Sequence, residues 1–260
     1  MPRPRGRAYI GAALCALIVA AALPARDGTA ARRTSSDAVP ILMYHVIAAP
    51  PRGAPYPELY VDPKTFADEV AWLAAHHFHA VTLQAAYDHW RRGAPLATRP
   101  VVFTFDDGYR SQYASALPIL RAHGWPGVLD LTVRNENDRW GMPPPLVRRL
   151  IHAGWEIDAH SITHPDLRTL DAPRLQHEVQ GARTLLRRQF HVPVNFFCYP
   201  AGRYDATVVE AVRKAGYLGA TSTEFGLGRS SDLVALDRVR VNGGDGVSGL
   251  VAKLKTLGVT

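Results

Sequence analysis

The sequence predicts an α/β fold: a parallel sheet covered by helices, closed into a (β/α) barrel or left open and doubly wound. Two observations predict it. Short apolar runs such as Pro100–Phe105 (PVVFTF) alternate with helical patterns along most of the chain, as buried parallel strands and their crossover helices do. Polar residues then stand where the strands end, at Asp106, His160 and the Tyr199-Pro200 pair. Either closure brings such ends together, and sites of α/β proteins form there. With 260 residues and 47% hydrophobic content the chain can bury a sizeable core, which excludes a wholly disordered protein.

The elements follow in order. Arg3, Arg5 and Arg7 precede an apolar run from Gly11 to Leu23, and Leu23-Pro24-Ala25 offers a small residue for cleavage. Residues 1–25 therefore read as a secretory signal, or, counted from Ala8 to Ala25, as an uncleaved membrane anchor. Either way the chain is expected to be exported to the periplasm, the cell envelope or the medium. Residues 26–38 read as a flexible tether, and 39–260 as one folded domain. Pro40–Val46 is a buried strand, and residues 48–57, with four prolines, are a loop. Asp62-Pro63 starts a helix as cap and first turn, and Phe66, Val70 and Leu73 recur on one face.

Residues 79–83 are expected as a strand, followed by a helix to about Arg92. The strand Pro100–Phe105 runs into Asp106-Asp107-Gly108 and a helix to His123. Gly127–Val133 is a strand, Pro145–Ala153 a helix, and Gly154–Ala159 a strand that ends in His160. Asp171 caps a helix over about 172–190. Val194–Tyr199 is a strand, Asp205–Ala215 a helix, Leu236–Val241 a further extended run, and a last helix starts near residue 247.

Charge and cysteine content narrow the function. The net charge is +7, but residues 1–36 hold six arginines and one acid, so the remainder is nearly neutral and offers no broad footprint for nucleic acid. Cys15 lies in the leader, which leaves Cys198 alone in the folded part. That excludes an intramolecular disulfide and a four-cysteine zinc site. No phosphate-binding glycine motif follows a strand, so no nucleotide site is expected.

Three segments carry chemistry. In Thr104-Phe105-Asp106-Asp107-Gly108-Tyr109, adjacent carboxylates cannot both face one site as free anions without a cation. A bound metal would let one coordinate and the other stay ionised as a base; a plain Asp-Asp-Gly turn is the alternative. In His160-Ser161-Ile162-Thr163-His164, two imidazoles at i and i+4 on a helical turn would converge on one cation. With Asp107 they make three ligands and leave positions open for water and substrate; packed histidines are the alternative. Phe196–Asp205 (FFCYPAGRYD) reads as a strand-to-helix loop, or as a groove wall of Tyr199, Pro200 and Ala201 whose Ala201 amide faces a developing oxyanion. Trp125 and Trp140 offer flat faces for a sugar, or for packing.

TFDDGY, HSITH and FCYPAGRYD, in this order, resemble motifs of the polysaccharide deacetylase family, carbohydrate esterase family 4. The resemblance spans roughly residues 40–245 and implies a distorted (β/α) barrel. It implies removal of acetyl groups from N-acetylglucosamine polymers such as exopolysaccharide, peptidoglycan or chitin, or from acetylated xylan. By position, Asp106 matches the family's catalytic base, and Asp107, His160 and His164 its metal ligands. Two departures matter. Cys198 stands where the family's third motif carries an arginine that steadies the base, and Arg238 or Arg240 of LDRVR is a candidate replacement. No histidine follows His191, so the usual C-terminal acid motif is absent. Deacetylases of β-1,6-linked N-acetylglucosamine polymers resemble permuted relatives with this histidine on an N-terminal strand, and Leu42-Met43-Tyr44-His45 matches that arrangement.

The implied reaction is metal-assisted amide hydrolysis with Asp106 as base and His45 as acid to the leaving amine. Three N/O ligands suit zinc first, then Co, Ni or Fe. An O-acetyl esterase using the same site and a non-catalytic sugar-binding relative are the alternatives. A non-haem iron oxygenase fits poorly, because it has no use for Asp106 beside the ligand.

Overall fold

The computed structural model describes residues 37–260. The leader and most of the tether therefore lie outside the described residues. Strands β1 (Ile41–Tyr44), β2 (His79–Ala80), β3 (Pro100–Asp107), β4 (Val128–Leu131), β5 (Glu156–Ala159), β6 (Phe196–Cys198), β7 (Gly219–Phe225) and β8 (Leu236–Arg240) are all parallel to their neighbours. The order β1-β8-β7-β6-β5-β4-β3, with β3 pairing back onto β1, closes a seven-stranded barrel, and β2 sits outside it against β3. Helices cover the barrel: α1 (Pro63–Ala75), α2 (Leu83–Arg92), α3 (Leu117–Ala122), α4 (Pro144–His152), α5 (Ala172–Gln176), α6 (Ala182–Phe190), α7 (Ala206–Lys214) and α8 (Gly246–Thr256). The alternation of elements alone fits a closed or an open sheet; the sheet closes, as the (β/α) barrel expected from the family resemblance requires. No helix of the described residues is long and apolar enough to cross a membrane.

The elements form for local reasons. Asp62, Thr82, Asp171 and Asp205 each accept a backbone N–H in the first turn of the helix they cap. Thr82 also explains why the expected strand over 79–83 stops at Ala80: its hydroxyl already accepts the Ala85 N–H at 3.1 Å. The helix expected over 172–190 is continuous but passes through a π-turn at His177–Gly181. A second π-turn, Gln112–Ala116, precedes α3.

Strand β7 is the element the sequence pattern does not announce. Gly219, Ala220, Thr221 and Ser222 give no apolar run, yet all four are buried. Small residues are required there. A Cβ on Gly219 would stand 2.6 Å from the Leu233 carbonyl oxygen and 3.3 Å from the Phe196 ring.

Alternation along the strands separates two interiors. Outward-facing Leu42, Tyr44, Phe103, Phe105, Leu129, Ile157 and Phe197 pack under the helices. Inward-facing Ile41, Val102, Val128, Phe196 and Leu236 fill the lower barrel, and Leu83 and Ala86 of α2 close that end. Above this apolar floor the inward positions turn polar, and there the site begins.

Candidate active site

At the C-terminal mouth a cavity of about 720 Å³ is bordered by His45, Asp106, Asp107, His160 and His164. Strand β3 delivers the two carboxylates in opposite directions. Asp106 points inward and is 2% exposed. Asp107 has φ +72, a left-handed backbone that turns its side chain into the cavity. Gly108 completes the turn at φ +87, where a Cβ would stand 2.4 Å from the Leu131 Cδ1.

Asp106 is held by Arg238, which is 1% exposed. The guanidinium donates to Oδ1 at 2.7 Å and Oδ2 at 2.9 Å, and also to Thr104 Oγ1 and the Ser222 carbonyl. This bidentate fork is the strong form of the pair. Burial alone raises the Asp106 carboxyl; the charge of Arg238, helped by His45, overrides it and carries it well below the usual range. Cys198 lies against both partners, with Sγ 3.3 Å from Arg238 Nη2 and 3.7 Å from Asp106 Oδ2. A guanidinium thus stands beside the base even though the third motif carries a cysteine. Arg240, the other candidate, instead lines the cavity.

His45 follows β1, and its Nε2 is 3.8 Å from Asp106 Oδ2. Burial lowers its pKa, the two aspartates oppose that shift, and the net direction is down.

Asp107 Oδ1 is 3.7 Å from His160 Nε2 and 3.8 Å from His164 Nε2. Tetrahedral ligands about 2 Å from a zinc ion stand roughly 3.4 Å apart; both distances from Asp107 are within a few tenths of an ångström of that, and the three donor atoms all lie within 4.8 Å of one another. His160 Nδ1 donates to the Cys198 carbonyl at 2.7 Å, which leaves the Nε2 lone pair for the cavity. Burial lowers the His160 pKa to about 4, so the ring is neutral, as a ligand must be. Asp106, His160 and Cys198 form an overlapping cluster. That cluster is a poorer donor set, because Arg238 already occupies both Asp106 oxygens and burial keeps the thiol protonated. The residues present therefore fit a divalent cation at Asp107, His160 and His164.

The segment from His160 to His164 is not the helical turn expected. Ser161 and His164 are left-handed, with φ +63 and +60. His164 precedes Pro165, which disfavours the right-handed helical region at His164. The loop is built instead on side chains. Ser161 Oγ accepts the His164 N–H at 2.9 Å, and Glu178 accepts Ile162 N–H, Thr163 N–H and Thr163 O–H at 2.8, 2.9 and 2.6 Å. Glu178 belongs to the π-turn before α6. In the other π-turn, Gln112 donates to the His45 and Asp106 carbonyls at 2.8 and 2.7 Å. Each π-turn thus aims a buried side chain at a site loop, a frequent use of such turns.

Of the expected groove wall, Ala201 lines the cavity with φ +52. Tyr199 borders it, but its hydroxyl turns away to the Val234 carbonyl at 2.8 Å. Pro200 is buried and does not line the cavity: the chain turns at Ala201, leaving Pro200 beneath the rim. Trp140 lies at the mouth against Tyr109, with centroids 4.9 Å apart, whereas Trp125 packs on Phe103 under the helices. Sequence reasoning missed Gln112, Glu178 and Asn135, whose amide donates to the Asp107 carbonyl at 3.0 Å. It also missed Asp130, 3.5 Å from Arg238. Asp130 had a legible signal, an acid inside the apolar run Val128–Leu131.

A parallel barrel that gathers a fixed carboxylate and a second carboxylate between two imidazoles at its C-terminal mouth has the architecture of a barrel hydrolase. The chain belongs to the polysaccharide deacetylase family, whose description matches residues 93–220. YxkH of Bacillus subtilis (strain 168) is 28% identical over 220 residues, which are 84% of this chain and 77% of that protein. The poly-β-1,6-N-acetyl-D-glucosamine N-deacetylase of Escherichia coli (strain K12) is 25% identical over 217 residues. That match takes in 67% of this chain but only 32% of the longer relative. Among solved structures, the Streptococcus pyogenes deacetylase PplD in complex with acetate superposes with a TM-score of 0.77 at 22% identity, over 83% of this chain and 97% of that one. This likeness establishes the (β/α) barrel fold.

Proposed function

We propose that this chain is a metal-dependent hydrolase that removes N-acetyl groups from N-acetylglucosamine-containing polysaccharide and releases acetate. The observation that carries the proposal is the Asp107–His160–His164 triangle set beside Asp106, itself locked by Arg238 and faced by His45. Family membership and the N-deacetylase relative support the same reading.

Asp107, His160 and His164 would hold the cation, zinc before Co, Ni or Fe. Bound there, the metal would supply a Lewis acid for the acetyl carbonyl and lower the pKa of a water molecule. The protein's own groups do the rest. Asp106 is ionised at every working pH and accepts the proton from the attacking water at Oδ2, the oxygen nearer His45. Arg238 fixes the direction of that oxygen. His45 delivers a proton to the amine as the C–N bond breaks. The Ala201 amide, at the cavity wall, serves the developing oxyanion. Residues 1–25 would direct export or tether the enzyme to a membrane.

Arg238 also weakens the non-catalytic alternative, whose support was the missing arginine of the third motif. An O-acetyl esterase would use the same groups, and assays on both bond types separate the two. The direct test is acetate release from β-1,4 and β-1,6 N-acetylglucosamine oligomers by the zinc-loaded chain, with and without chelator. Asp106→Asn should keep its zinc and lose about 1,000-fold in kcat/KM. Near-normal turnover by that variant, or release unaffected by chelator, overturns the proposal.

A further inference from the structure

The wall around the site carries an excess of positive charge that the hydrolysis does not use. The active-site cavity adjoins a second hollow of about 530 Å³, and the two share Tyr109 and Trp140. The Tyr109–Trp140 pair therefore forms a step in one continuous groove. Arg134 and Arg240 line the first hollow, and Arg110 and Arg139 the second. Among the described residues, none of these four guanidinium groups has an ion-pair partner or a hydrogen-bond acceptor. By contrast, Arg203, also at the mouth, is paired with Asp166 at 3.3 Å.

Acidic residues do not balance them. Glu58 is the one carboxylate lining either hollow besides Asp106 and Asp107. Asp106 is spent on Arg238, and Asp107 belongs to the metal donor set. The excess is local, because residues 1–36 account for most of the net charge of +7. A cleft lined by one sign of charge concentrates ligands of the other sign. Guanidinium forks suit carboxylates in particular. Arg240 ends β8 and Arg134 follows β4, strands on opposite sides of the closed barrel. Cations thus flank the reaction centre on both sides.

A neutral polymer would make no use of this lining. Its deacetylated product, a polyamine, would be repelled by it. We propose that the groove selects an acidic glycan, in which the N-acetylhexosamine that loses its acetyl group alternates with carboxylate-bearing sugars. The carboxylates on either side of the reacting sugar meet Arg134 and Arg240, and the chain continues over Trp140 toward Arg110 and Arg139. This rests on the N-deacetylase reading above.

The test compares two tetrasaccharides of alternating N-acetylglucosamine and N-acetylmuramic acid. One has its lactyl carboxylates free, the other has them converted to primary amides, and N-acetylglucosamine tetramer is the third substrate. At about 20 mM NaCl, kcat/KM for the free acid should exceed that for the amide at least about tenfold, and the preference should shrink to about twofold at about 500 mM NaCl as salt screens the groove. The Arg134→Gln/Arg139→Gln double variant, with both positions exposed, should cut the low-salt preference at least about fivefold. Equal turnover of acid and amide, a preference for the neutral tetramer, or a preference indifferent to salt and to the double variant overturns the inference. If no substrate releases acetate, the N-deacetylase reading fails. The inference is then decided by the affinities of the zinc-loaded Asp106→Asn protein for the acid and amide forms, which should differ by the same factor.

Discussion

The two faces of the barrel wall have opposite chemistries although both are buried. Outside, Tyr44, Phe66, Phe103, Phe105 and Trp155 form an aromatic layer; Tyr44 and Phe66 meet edge-on at 5.1 Å, and Phe105 and Trp155 stack at 4.9 Å. Inside, Thr104, Asp106, Asp130, Asp158, Cys198 and Arg238 occupy positions that a barrel core usually gives to Val, Ile and Leu. The acids there are treated unequally. Burial pushes the Asp130 and Asp158 carboxyls well up, whereas Arg238 carries Asp106 down. The fork of Arg238 is thus committed to Asp106, and burial disfavours the charged form of the other two acids. The outer face determines how firmly the barrel holds; the inner face determines which group at its mouth is charged.

Arg238→Met breaks this contrast most severely. It removes the fork from Asp106 and leaves a carboxylate buried without its cation, a change worth about 3–5 kcal/mol of stability. Activity should fall by at least about 100-fold, since the base loses its fixed direction. Arg238→Lys restores the charge but not the fork, so it should recover most of the stability and little of the activity. Denaturant melts and acetate release measured on both variants check this. If Met and Lys behave alike, orientation by the fork is not what Arg238 provides.

How much of this was legible follows from the same contrast. A strand buried on both faces reads as a continuous apolar run, which is why Ile41–Tyr44 and Pro100–Phe105 stand out in the sequence. The side chains at their ends, His45, Asp106 and Asp107, therefore stood out as well. The pattern cannot show inward from outward, so Asp158 passed as an ordinary strand residue, and Asp130, although it interrupts an apolar run, gave no sign of the Arg238 beside it. Strand β7 was invisible because close packing restricts it to small side chains. The loop from His160 to His164 was legible in its residues but not in its shape, which depends on Glu178 fourteen positions beyond His164. Bracing of this kind, like that from Gln112, is tertiary and leaves no local signal.

A substitution on the outer face should separate stability from chemistry. Leu129 is fully buried among the outward-facing residues, one position from Asp130 along β4. Leu129→Ala leaves a cavity and should cost about 2–5 kcal/mol. At a temperature where the variant is still folded, kcat/KM should stay within about twofold of the parent, because neither Arg238 nor the metal donors touch that face. A larger loss of activity at full folding would mean that the two faces are mechanically coupled, and the contrast drawn above would have to be given up.

The smallest effect is one of pH, and it arises from the outer face's own polar exception. Glu69 of α1 is fully buried; Tyr44 donates to its Oε2 at 3.0 Å, and its Oε1 has no partner. Burial raises its pKa to about 7 from the 4.5 of a free carboxyl, against the opposing hydrogen bond from Tyr44. Below pH 4.5 the folded and unfolded chains both hold this proton, and the group contributes no pH dependence. Between 4.5 and about 7 the unfolded chain gives it up first, so rising pH favours unfolding; above that window the cost is constant. Glu69→Gln should therefore match the parent near pH 4.5 and exceed it by about 1–3 kcal/mol at pH 8. Asp130 and Asp158 give the parent a slope of the same sign, so the quantity to read is the difference between the two stability curves. A difference that stays constant across this range would mean that Glu69 is already ionised in the fold, and that the outer face, like the inner one, holds a buried charge.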